Sequence, residues 1–178
     1  MKKRIFAASP VSDNLQAEIL EWEKGYSSLP VRWLEGKNLH ITLVPPWYED
    51  DIEHIKEILS SIREKFGGFE IAFERVTYGP DPKRPRLIWA EGETPKALVA
   101  LKAKIEEALG IRPESRPFKL HLTIARFRPE DFSQFSIKKL DERVSWHDAV
   151  RSFTLMESRL SPGGADYEII KAIPLGGA

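Results

Sequence analysis

The chain contains no cysteine. Disulfides, thiolate zinc sites, iron–sulfur ligation and cysteine nucleophiles are thereby excluded, although a chain without thiols persists in either redox environment. It also has no excess of charge, since 27 Lys and Arg balance 27 Asp and Glu. Proteins that coat long nucleic acid carry a net positive field. A balanced chain leaves room only for a local basic cleft that reads one terminus or one phosphate. Long apolar runs are missing as well, and no segment approaches the roughly 18 residues of a membrane helix. The basic start precedes an apolar stretch of only Ile5 to Ala8, closed by Pro10. That is too short for a signal-peptide core. It reads as a first strand with a solvated lead-in, and a cytoplasmic protein is expected.

What is present is an ordinary composition: 178 residues, 42% hydrophobic and 30% charged. Such a chain fits one domain over 1–178, or two small lobes sharing a site, with enough length to bury a real core. Three helices declare themselves by caps and spacing. Ser9 and Pro10 open one that carries Leu15, Ile19 and Trp22 and stops at Gly25. Asp50 or Asp51 opens a second with Ile52, Ile55, Leu59, Ile62 and Phe66 on one face, before Gly67. Thr94 and Pro95 open a third with Leu98, Leu101, Ile105 and Ala108, before Gly110.

Strand-like runs span residues 5–8, 31–34, 39–44, 69–76, 87–90, 119–127, 150–160 and 167–173. Most are rich in β-branched or aromatic residues and bounded by Gly, Pro or Asp. Ser161-Pro162-Gly163-Gly164 reads as the loop of a terminal hairpin. Residues 80–85, with Asp81, Pro82, Lys83 and Arg84, read as a rigid exposed loop. Strands come in pairs between helices, which favours antiparallel sheets over a doubly wound parallel one. Pro10 precedes His40 by thirty residues and Pro95 precedes His121 by twenty-six, so two similar β–α–β–β halves are expected to face each other.

The chemistry lies in two short repeats, His40-Ile41-Thr42-Leu43 and His121-Leu122-Thr123-Ile124. Residues i and i+2 of a strand project to one face, so each imidazole shares a face with a hydroxyl while the apolar residues point inward. With four His and five Thr in the chain, two such hits arise by chance on the order of once in ten thousand shuffles. A lone histidine on an apolar strand is ordinary packing. A duplicated imidazole–hydroxyl pair is not.

Two imidazoles across a cleft serve as general base and general acid, because their pKa values lie near neutrality. Two threonine hydroxyls donate to the oxygens of a phosphate held between them. No H-E-x-x-H motif is present and no carboxylate stands at ligand spacing from either histidine, so neither metal nor other cofactor is expected. His54 and His147 receive no role. Arg126, five residues after His121, points away from that face in an undisturbed strand. It reaches the phosphate only through a bulge, and a surface salt bridge is its expected use. Trp33 and Trp47 are candidates for base stacking, whereas Trp89 is expected in the core. Lys83, Arg84, Arg86, Arg112, Arg116, Lys119 and Arg128 are candidates for a basic rim.

The paired motifs resemble those of the 2H phosphoesterase superfamily, and more closely the RNA 2′,3′-cyclic phosphodiesterase or 2′-5′ RNA ligase family. Val31-Arg32-Trp33, Asn38-Leu39-His40, Arg86-Leu87-Ile88-Trp89-Ala90, Arg116-Pro117-Phe118, Ala125-Arg126 and the stretch 157–164 extend the likeness over nearly the whole chain. The resemblance implies an α+β, bilobal fold of two pseudo-symmetric antiparallel-sheet lobes, with helices outside and a central cleft. It implies metal-independent hydrolysis of a terminal RNA 2′,3′-cyclic phosphate to a 2′-phosphate. His40 is then the proton donor and His121 the proton acceptor, with Thr42 and Thr123 binding phosphate; the motifs themselves are symmetric and leave that assignment open. Weak joining of ends in a 2′-5′ linkage is expected beside hydrolysis.

The expected partner is an RNA terminus or a small cyclic nucleotide, with no membrane and no obligate protein partner, and a monomer is expected. Alternatives are a phosphoesterase for 2′-5′ oligonucleotides or another nucleotide-derived cyclic phosphate, and a non-catalytic RNA-end binding module. The last predicts loss of a motif residue, and all four are present. Val44-Pro45-Pro46-Trp47 departs from better-known members, in a loop expected to border the cleft.

Overall fold

A computed structural model describes residues 1–176. Among the described residues, nine strands form two antiparallel sheets. The first contains β1 (Lys3–Pro10), β3 (His40–Glu49), β8 (Ser152–Ser161) and β9 (Gly164–Pro174), in the order β3-β1-β8-β9. The second contains β2 (Arg32–Trp33), β4 (Phe69–Gly79), β5 (Leu87–Glu91), β6 (His121–Arg126) and β7 (Asp141–Val150), in the order β2-β6-β5-β4-β7. With β2 set aside, the two orders correspond. In each sheet an H-x-T-x strand lies next to the strand that precedes a helix. Helix α1 (Asp13–Lys24) joins β1 to the β2–β3 segment, and α3 (Lys96–Leu109) joins β5 to β6. The α+β, two-lobed architecture expected from the sequence is the one observed.

One face of each sheet packs into a main core that draws on both sheets, including Ile5, Ala7, Ile41, Leu43, Ile88, Leu122, Ile124 and Phe153. From α3, Leu98, Leu101 and Ile105 are each 0% exposed. Burying each contributes about 1.5–3 kcal/mol relative to exposure. The other face of the first sheet carries a separate small cluster of Phe6, Ala8 and Met156, with Tyr167 against it. Alternation along β1 thus sends Ile5 and Ala7 to the main core, and Phe6 and Ala8 to the His40 side.

Several boundaries differ from the sequence reading. Pro10 does not open α1; it ends β1, paired with His40. Ser9 is buried and its hydroxyl donates to the Ser152 carbonyl at 3.3 Å, so cross-strand pairing outweighs capping there. The N-cap is Ser12, whose Oγ accepts from the Leu15 N–H at 3.2 Å. Helix α2 (Ile52–Ser60) is capped by Asp51 and ends before Ile62; Arg63–Lys65 form a separate 3₁₀ turn. Pro95 itself caps α3, and Gly110 ends it in the left-handed region at φ +64°. β7 fills a stretch for which no strand is expected, because an edge strand that reads Asp-Glu-Arg-Val-Ser-Trp-His-Asp is dominated by polar residues.

The proline-bearing stretch after the first motif is not a loop. β3 runs through Val44, Pro45 and Pro46 to Glu49, as the edge strand of its sheet. Its register against β1 shifts twice, between Ala8 and Ala7 and between Ala7 and Ile5. Bulges on an edge strand tolerate residues without an N–H. The Ser161–Gly164 hairpin forms as expected, with Gly164 at φ +117°. Residues 80–84 are exposed and Pro85 is buried. Among the described residues, no helix is long and apolar enough to cross a membrane.

Candidate active site

The motif strands β3 and β6 approach each other across the two sheets. His40 and Thr42 are half-buried, with Ile41 and Leu43 buried between and beyond them; His121, Thr123, Leu122 and Ile124 repeat the pattern. The Nδ1 atom of each histidine is held in the same way. His40 Nδ1 lies 2.7 Å from the Asn38 carbonyl, and His121 Nδ1 lies 2.9 Å from the Lys119 carbonyl, in both cases two residues earlier. A carbonyl only accepts, so Nδ1 carries the hydrogen and Nε2 is left to exchange protons. His40 Nε2 lies 3.1 Å from Thr42 Oγ1, where the hydroxyl donates to the neutral ring.

The surroundings break this symmetry. His40 packs against Phe6 at 5.1 Å between ring centroids and edge-on against Tyr167 at 5.0 Å. Burial above all, with the charges of Arg126 and His121, pushes its pKa down to about 4 against the raising effect of the Asn38 hydrogen bond. In the free protein His40 is therefore neutral at neutral pH.

Two cavities open along the motif strands. One, about 360 Å³, is lined by His40 and Thr42 with Arg4, Arg32, Arg126 and the ring of Tyr167. The other, about 780 Å³, takes His121 with Trp89, Lys119, Arg75, Glu74 and Glu91. β6 links them, contributing His121 to one and Arg126 to the other. Thr123 stands between these two on the same strand, half-buried.

Arg126 corrects the parity argument. Ile88 pairs with Ala125 but Trp89 pairs with Thr123, so Ile124 is an extra residue in β6. The bulge buries both Ile124 and Ala125 and returns Arg126 to the face of His121 and Thr123. Arg126 is not in a salt bridge among the described residues; it lines the His40 cavity. The tryptophans also exchange roles. Trp33 and Trp47 pack against the core, whereas Trp89 is half-buried and lies 4.8 Å from the His121 ring. A Cβ at Gly79 would come within 2.5 Å of the indole, so the absence of a side chain there makes room for Trp89.

Of the basic residues considered for a rim, Lys119 lines the His121 cavity and Arg128 a third, adjoining one. Arg84 pairs with Glu130. Arg4 and Arg32 also line the His40 cavity, and nothing local in the sequence reveals that two-residue β2 pairs with β6 to bring Arg32 there. His54 is exposed on α2, and His147 is exposed beside Ser145 on β7. Among the described residues, no group of three or more His, Asp or Glu side chains is gathered as a metal site would require.

Known proteins share both the sequence and the shape. The profile of the 2′-5′ RNA ligase superfamily matches residues 11–161. A protein of Archaeoglobus fulgidus named RNA 2′,3′-cyclic phosphodiesterase is 31% identical, over 94% of this chain and 98% of its own. Its namesake in Methanocaldococcus jannaschii is 30% identical, over the same shares. Among solved structures, E. coli LigT complexed with 3′-AMP superposes with a TM-score of 0.76 at 22% identity, covering 98% of this chain and 99% of that one. A Thermus thermophilus protein, TT0787, gives 0.77 at 23% identity, with 98% of both chains covered.

Proposed function

The chain belongs to the 2′-5′ RNA ligase superfamily, and from that premise we propose that it hydrolyses terminal RNA 2′,3′-cyclic phosphates to 2′-phosphates by acid–base chemistry between His40 and His121. The observation that carries this reading is the matched wiring of the two rings, each with Nδ1 held by the carbonyl two residues before it. The proposed unit of function is the chain 1–178 as one domain of two lobes.

In the proposed cycle the cyclic phosphate lies between β3 and β6, with the Thr42 and Thr123 hydroxyls and the Arg126 guanidinium toward its non-bridging oxygens. Charge that builds there in the transition state meets fixed donors. His121 Nε2 takes a proton from water as the water oxygen attacks phosphorus. The bond from phosphorus to the ribose 3′-oxygen breaks opposite the attack, and that oxygen takes the proton of His40 Nε2–H. The products are a 2′-phosphomonoester and a free 3′-hydroxyl, and a proton passing from His121 to His40 through solvent resets the pair.

His121 suits the base role, since its Nε2 has no partner among the described residues. His40 must gain its proton against burial, which chiefly depresses the ring, and the bound anion supplies the cause by favouring the charged form and offsetting Arg126. A 5′-hydroxyl in place of water would give a 2′-5′ linkage, a reaction that water outcompetes. The test is to identify the product by ³¹P NMR from an oligonucleotide ending in a 2′,3′-cyclic phosphate. A 2′-phosphate end is expected; a 3′-phosphate end, or no reaction, would refute the reading.

A further inference from the structure

Resting on the hydrolase reading above, we infer that the arginine-lined cavity beside the His40 cavity seats the phosphodiester preceding the terminal nucleotide. The protein therefore takes the cyclic-phosphate end of an oligonucleotide in preference to a cyclic mononucleotide. This cavity measures about 340 Å³ and is lined by Arg32, Arg126, Arg128, Asp131, Gly163 and Gly164 among others. Arg32 and Arg126 line the His40 cavity too, so the two spaces adjoin through their side chains. Three guanidinium groups against one carboxylate leave the lining positive.

Two features mark this as a built anion seat rather than a solvated basic patch. Arg32 of β2 stands directly opposite Arg126 of β6. Like charges at directly opposed positions disfavour a sheet, and neither residue is in an ion pair among the described residues. Three other arginines are neutralised: Arg75 by Glu91 and Asp141, Arg84 by Glu130, Arg159 by Glu157 and Glu168. Arg32 and Arg126, facing each other across the β2–β6 ladder without a carboxylate partner among the described residues, present their charge to an anion from outside.

Arg32 is also held in place. Its Nη1 donates to the Gly163 carbonyl in the β8–β9 turn, across the lobes. A Cβ at Gly164 would fall 0.9 Å from that nitrogen, so only glycine lets the guanidinium lie there. Both observations concern fixed geometry, and a fixed guanidinium binds phosphate with less ordering to do.

The direction of the RNA follows from the proton transfers. His40 protonates the ribose 3′-oxygen, so the ribose lies on the His40 side of phosphorus and water attacks from the His121 side. The RNA leaves that ribose through its 5′ carbon toward the preceding phosphate. On the His121 side, Glu74 and Glu91 line the cavity together with Arg75, Lys119 and Arg143, and Glu91 holds Arg75. The charges there are mixed. Arg4, Arg32 and Arg126 line the His40 side with no carboxylate among that cavity's lining residues, and it opens toward Arg128.

The experiment compares kcat/KM on three substrates: adenosine 2′,3′-cyclic phosphate, the dinucleotide ApA ending in the same cyclic phosphate, and that dinucleotide with a neutral methylphosphonate linkage. The charged dinucleotide is expected to exceed the mononucleotide by about tenfold or more, as a charge-assisted phosphate contact would give. The methylphosphonate should lose that advantage, and Arg128→Gln should lower the ratio of dinucleotide to mononucleotide rates. A ratio near one with the mononucleotide turned over, or an advantage kept by the methylphosphonate, overturns the inference while leaving the hydrolase reading intact. If none of the three is hydrolysed, both fall together. The substrate comparison uses the unaltered protein, so it stands even if the variant fails to fold.

Discussion

His40 and His121 sit in the same four-residue motif but have different neighbours. His40 lies among Phe6, Tyr167, Arg32 and Arg126, whereas His121 faces an open cavity beside Trp89. A shared backbone arrangement therefore sets the two imidazoles in unlike surroundings, and burial lowers the proton affinity of His40. The active form has one proton on His40 and none on His121, and the two limbs of the pH profile belong to the pair. In the free protein His40 titrates at about 4, so the acid limb of kcat/KM is expected near that pH. Bound phosphate favours the charged form of His40, so in kcat the same limb should move to higher pH. Measuring both profiles on a cyclic mononucleotide checks this; an acid limb of kcat/KM at the ordinary histidine value would contradict it. The motif residues were legible in the sequence because period-two alternation holds from 40 to 43 and from 121 to 124. Arg126 was not, since the single extra residue at Ile124 inverts the parity on which its placement depended.

At the level of elements, the first motif strand is held from the opposite lobe. Lys102 of α3 donates to the Leu43 carbonyl of β3 at 2.7 Å and to Glu106 at 2.7 Å. The side chains of the ion pair are only 8% and 5% exposed. The carbonyl belongs to the residue after Thr42, at a register shift where β3 leaves its regular ladder with β1. Lys102→Met strands a buried carboxylate and an unpaired carbonyl, so a cost of about 3–5 kcal/mol is expected. Removing both charges as Lys102→Met with Glu106→Leu should cost distinctly less, because no unpaired charge remains. Urea unfolding of the wild type and both variants measures the difference; equal losses would show that the pairing is not what holds β3.

Neither the sheet pairing of β2 nor the strand at 141–150 could be read from local pattern. The first is two residues long and the second is an edge strand whose residues are mostly polar. The three helices were legible in position because their apolar spacing is long and regular. Their starts were less so: Ser9 and Ser12 are equally good caps locally, and only pairing with β8 decides between them.

Over the whole molecule, two sheets of corresponding strand order carry their motif strands to one interface, and the charge is distributed unevenly along it. Arginines without carboxylate partners gather on the His40 side. Cations and glutamates are mixed on the His121 side. A chain of zero net charge thus keeps a local field for one nucleic-acid end. The sequence foretold the facing lobes from the order of elements, but it could not reveal this asymmetry, because Arg4, Arg32 and Arg126 come together only when β1, β2 and β6 are assembled. The account depends on both lobes delivering a proton-transferring group to the same phosphate. Single-turnover opening of a 2′,3′-cyclic-phosphate-ended RNA in EDTA, by the wild type and by His40→Ala and His121→Ala separately, tests this directly. The wild type is expected to remain active, and each variant to be slower by roughly 10²- to 10⁴-fold with its fold intact. A near-normal rate in either folded variant would contradict it.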